Sequence, residues 1–149
     1  MRWFPKGCYW NAEYNKEELE KESGRKLKIV YGSLGLNGFF EFGGRDWDVK
    51  DFYPNPFDSH AWLEDSDGNV YDYIFDLYGK WIANRKIKVS FPTSCLIRGA
   101  TKKQLKEEFN LEYISAPLMA QILIVKQVNL KRKQLLNTNP NYFKKFYKR

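Results

Sequence analysis

At 149 residues and 17.8 kDa, the chain suits one compact domain and is too short for several of ordinary size. An aromatic content of 17% excludes disorder over the whole length. Two cysteines and one histidine exclude a disulfide scaffold, a four-cysteine zinc site and a multi-histidine metal centre within one chain, while a net charge of +7 keeps acidic partners open.

Pro5-Lys6-Gly7 is a turn signal. A helix is expected within 8–23, with Cys8, Ala12, Asn15 and Leu19 at helical spacing and Gly24 as its C-terminal residue. Asn15-x-x-Glu18 also fits a capping box, which would break that helix in two. Lys28 to Tyr31 reads as the first strand and Gly38 to Phe42 as the second. Leu34 and Leu36, between the glycines of Gly32-x-x-Gly35-x-x-Gly38, suit a turn joining them. Residues 43–58 read as a loop. Ser59 to Glu64 and Asn69 to Phe75 read as strands flanking the hairpin signal Asp65-Ser66-Asp67-Gly68. Lys86 to Phe91 is a further strand. Thr101-x-x-Gln104 is a capping box opening a helix to about Asn110. Pro117 suits the start of a last helix, with Leu118, Ile122, Val125 and Val128 as its apolar face and an end near Asn137. The predicted class is α+β with an antiparallel sheet, in a single domain 1–149 whose residues 93–149 form a helical C-terminal extension.

Three residues stand out for chemistry. Cys8 follows Gly7 at a predicted helix N-terminus. Unpaired N–H groups and partial positive charge there favour a thiolate nucleophile and can bind a developing oxyanion. The plain alternative is a small buried apolar residue. His60, in Ser59-His60-Ala61-Trp62-Leu63-Glu64, shares a strand face with Trp62 and Glu64, and no other imidazole exists to serve a thiol as base. Asp72 lies on the next strand, where a carboxylate can orient the ring. Register decides whether it does. A two-residue Asp67-Gly68 turn faces Asp72 away from His60. A three-residue loop 66–68 with Gly68 in the left-handed position pairs 65 with 69 and 62 with 72, and puts both on one face. Glu64 and Asp58 are reserve candidates for the third role.

A cysteine at a helix N-terminus, then His60-Ala61-Trp62-Leu63-Glu64, then Asp67-Gly68-x-x-x-Asp72, resembles the papain-like superfamily. The closest likeness is to its transglutaminase-like branch, with kinship to NlpC-type cell-wall peptidases. The resemblance covers roughly residues 5–76 and implies a papain-like core over 1–92. It also implies a thiol-dependent hydrolase or acyltransferase (peptidase, amidase or transglutaminase-like) acting through a thioester. Cys8 would be the nucleophile, His60 would move the proton and Asp72 would orient His60. Trp10, Asn11 and Trp62 would contact a peptide or amide substrate. No metal or cofactor is implied. The chain departs from the pattern where Tyr9, not tryptophan, follows the cysteine, and none of the seven residues before Cys8 is the glutamine that serves papain's oxyanion.

Charge is unevenly spread. Residues 41–76 hold ten acids and two bases, whereas 126–149 hold eight bases and no acid. The tail interleaves bases with aromatics, in Lys131-Arg132-Lys133 and then Tyr142 to Arg149. That composition fits a nucleic-acid binder, equally a tail whose rings pack on the domain with lysines outward. A catalytically idle binding protein of the same fold, or a nucleic-acid binder using this tail, is the competing functional expectation. No secretory h-region opens the chain, and the most apolar stretch, Pro117 to Val125, is far below a span of ~20 residues. No membrane partner and a cytoplasmic location are expected. The wealth of lysine, asparagine and aromatic residues suggests an AT-rich genome such as a virus's, which would make that the host cytoplasm.

Overall fold

The computed structural model describes residues 8–36, 38–42, 59–73 and 96–144. The turn at Pro5-Lys6-Gly7, the loop 43–58 with Asp58, the strand Lys86 to Phe91, Cys95 and the last five residues lie outside them. Among the described residues, three helices and six strands form an α+β unit with an antiparallel sheet. The order is α1 (Cys8–Ser23), β1 (Lys28–Leu36), β2 (Phe39–Phe42), β3 (His60–Glu64), β4 (Val70–Tyr73), β5 (Leu96–Ala100), α2 (Lys102–Phe109), β6 (Leu111–Ser115) and α3 (Leu118–Thr138). Strands run β2-β1-β3-β4-β5, and β6 also pairs with β1. No described helix is long and apolar enough to cross a membrane.

Helix α1 is unbroken. Asn15 takes a buried place on the same face as Ala12 and Leu19, and Gly24 closes the helix at φ +69°. The helix lies across β3, β4 and β1. There Tyr9, Leu19, Leu27, Tyr31, Ala61, Leu63 and Tyr71 form one core layer, joined by Ile124 and Val128 of α3. Alternation along β3 sends Trp62 to the opposite layer, with Val30, Leu34, Leu36, Val70, Leu105, Leu111 and Tyr113.

Three expectations are corrected. Leu34 and Leu36 are strand residues and wholly buried, because β1 runs on to Leu36 with both faces covered. Gly32 makes this possible: a Cβ there would lie 2.0 Å from the Ile114 carbonyl oxygen and 2.8 Å from the Trp62 ring. The stretch 93–149 is not a helical extension alone. It supplies β5, which pairs with β4, and β6, which pairs with β1 from Gly32 to Leu36. Finally, α3 buries Ala120, Ile124 and Val128, and leaves Leu118, Ile122 and Val125 exposed. Its rotation is set by Gln121, which accepts from the Tyr31 amide at 3.3 Å and donates to the Ala116 carbonyl at 2.9 Å. The capping signals of α2 match the structure. Thr101 and Gln104 form a reciprocal capping box, and Asn110 ends α2 in the left-handed conformation at φ 53°.

Candidate active site

The hairpin after β3 fixes the geometry. Asp65 accepts from the amides of Asp67 and Asn69, each at 3.0 Å, from Asn69 Nδ2 at 3.0 Å and from the Tyr71 hydroxyl at 3.2 Å. Such a side-chain-held turn leaves Gly68 at φ +80°. Burial alone would push the Asp65 carboxyl up, but these hydrogen bonds outweigh it and hold the carboxyl below its ordinary value. The Asp65 amide donates to the Asn69 carbonyl at 3.2 Å, Glu64 pairs with Val70, and Leu63 with Tyr71. This is the three-residue loop 66–68, and the same register sets residue 62 opposite 72. Asp72 therefore shares a face with His60.

On that face, His60 Nε2 lies 2.6 Å from Asp72 Oδ2. The ring is wholly buried and Asp72 nearly so. Burial pulls the His60 pKa down. The Asp72 charge and hydrogen bond, followed by a hydrogen bond and charge from Cys8, outweigh it and raise the value to about 10. Asp72 on one side and the Cys8 thiol thus both favour the protonated ring. Cys8 and His60 are the first residues of α1 and β3, so they meet at the ends of their elements. Cys8 is half-buried and keeps an opening to solvent that His60 lacks.

A second contact ties these two ends together. Tyr9, next to Cys8, donates to the carbonyl of Ser59, next to His60, at 2.7 Å, and lies 3.0 Å from the Ser59 hydroxyl. Burial first, then the neighbouring Cys8 charge, push the Tyr9 hydroxyl far up, so it stays a donor.

The three residues expected to contact substrate, Trp10, Asn11 and Trp62, are all buried. Trp62 is fully buried, its ring 6.0 Å from that of His60, and its indole N–H donates to Glu64 at 2.6 Å. Trp10 is buried beneath Phe143, at 5.0 Å between ring centres, with the Arg132 guanidinium over its face at 5.5 Å. Asn11 is buried too. Glu64, a reserve for the third role, is instead held by Trp62 and by Lys102 at 3.1 Å. The described part of the basic tail packs on the domain: Phe143 is buried between Trp10 and Tyr14, and Arg132 pairs with Glu13.

Sequence reasoning missed Tyr113. From β6 it donates its hydroxyl to Asp72 Oδ2 at 2.7 Å and packs edge-on against Trp62 at 5.0 Å. The signal available was the alternation of Leu111 and Tyr113 between two helices, which the structure buries as the inner residues of β6. Among the described residues, no group of three or more His, Cys, Asp or Glu side chains gathers to hold a metal ion. Comparison with protein-family models, curated proteins and solved structures finds no match for this chain.

Proposed function

We propose that this protein is a thiol-dependent acyl-group enzyme of the papain-like kind, closest in plan to the transglutaminase-like branch, acting on a peptide or other amide. The observation that supports it is the buried His60–Asp72 contact at 2.6 Å with the Cys8 thiol acting on the same ring. Nε2 is committed to Asp72, so proton exchange with the reacting groups runs through Nδ1. Cys8 Sγ attacks the carbonyl carbon. The new C–S bond forms as the C–N bond breaks, and the leaving amine takes the proton that His60 Nδ1 holds. Water, in a hydrolase, or an amine, in a transferase, then attacks the thioester. Its proton passes to His60 and the sulfur leaves. Asp72 orients the ring and stabilises its charge throughout.

Sub-stoichiometric iodoacetamide at neutral pH tests this without a known substrate. Cys8 is expected to label well ahead of Cys95, and His60→Gln to slow Cys8 labelling by at least roughly tenfold. Equal, slow labelling of both cysteines in the native protein would contradict the reading and leave an idle binding protein of this fold as the better account.

A further inference from the structure

Tyr113 and His60 converge on one atom. Asp72 Oδ2 accepts from the Tyr113 hydroxyl at 2.7 Å and contacts His60 Nε2 at 2.6 Å. We propose that Tyr113 is a positioning residue for the Cys8–His60–Asp72 unit: its hydroxyl fixes the Asp72 carboxylate and takes up part of the negative charge at Oδ2, which limits how tightly the imidazole proton is held. The inference rests on the acyl-transfer reading above and deepens it.

Two observations carry the assignment. The phenol ring is buried, set edge-on to Trp62 at 74° and 5.0 Å and tilted to the His60 ring at 6.2 Å, so its oxygen has little freedom to leave Asp72. Burial, followed by the charge and hydrogen bond of Asp72, pushes the Tyr113 hydroxyl well above its ordinary value, so it remains a donor across the working range. The groups acting on the His60 proton come from three elements: Cys8 of α1 and Asp72 of β4 directly, and Tyr113 of β6 through the shared oxygen. A carboxylate oxygen relieved of one charge-assisted donor becomes the stronger partner for the other.

Tyr113→Phe keeps the ring and removes only the hydroxyl. His60 is the sole histidine, so its NMR titration needs no assignment. The midpoint is expected to rise by about half a pH unit or more in the variant. An unchanged midpoint in a natively folded variant would overturn the proposal, because a packing role alone would not move it. If the variant does not fold, the wild-type protein decides. A slowly exchanging Tyr113 hydroxyl proton with a cross-peak to the His60 Nε2 proton supports the role, and a hydroxyl exchanging freely with water overturns it. Iodoacetamide labelling of the wild type separates the two levels. Slow Cys8 labelling with a shifted midpoint would remove the acyl-transfer reading and leave the hydrogen-bond role standing. Fast labelling with an unshifted midpoint would do the reverse.

Discussion

Asp72→Ala is expected to destabilise the fold by about 3–5 kcal/mol at neutral pH, the cost of breaking a buried ion pair from one side. His60 has no exposure to share its charge with water. Without Asp72, burial drives it towards the neutral form, and the Tyr113 hydroxyl also loses its acceptor. The pH dependence gives the sign. In the wild type the His60 pKa is raised from 6.5 to about 10. Its contribution to stability is therefore complete below about 6.5 and fades as pH rises through about 10. Urea denaturation across that window should show the gap between wild type and variant largest at the acid end and narrowing towards pH 10. A variant within about 1 kcal/mol of wild type at pH 6 would show that the pair is not buried as described.

Gly32→Ala is expected to cost about 3 kcal/mol, the upper part of the range for overpacking, although the change adds a single methyl group. Gly32 pairs with His60 on β3 and with Ser115 on β6. A Cβ there meets the Ile114 carbonyl oxygen at 2.0 Å, the Ala116 amide nitrogen at 3.0 Å and the Trp62 ring at 2.8 Å. Two of the three obstacles are backbone, so β6 must move off β1, and Tyr113 moves with it. The variant should therefore lose Cys8 reactivity together with stability. Chemical denaturation and the labelling rate check both. Near-native values for each would mean that β6 does not lie against β1 as closely as described.

The parts of the fold legible in the sequence are those whose instructions are local. Asp65 and Gly68 specify a turn by a short acceptor side chain and a residue tolerant of positive φ, and that turn alone carries the register joining His60 to Asp72. Thr101 and Gln104 announce α2 in the same way, and Gly24 the end of α1. What stayed hidden depends on distant partners. The second half of β1 is covered on both faces, so it loses the alternation that marks a half-buried strand, and its glycines imitate a turn. β6 has five residues wedged between helices and becomes a strand by pairing with β1. The first turns of α3 carry apolar side chains all round, so periodicity admits more than one inner face, and Gln121 chooses by bonding to Tyr31 and Ala116. Of the site, Cys8, His60 and Asp72 were legible as residue types in order on predicted elements. Tyr113 was not, because its link to Asp72 spans 41 residues and requires β6.

The proposed chemistry requires one sulfur and one carboxylate to act together on one imidazole. His60 titration by NMR, before and after capping Cys8 with a neutral carboxamidomethyl group, tests it most directly. A midpoint far above 6.5 is expected in the free protein, with a fall on capping, since Cys8 is among the groups that raise it. A midpoint near 6.5 in both forms, or one indifferent to the cap, would contradict that chemistry.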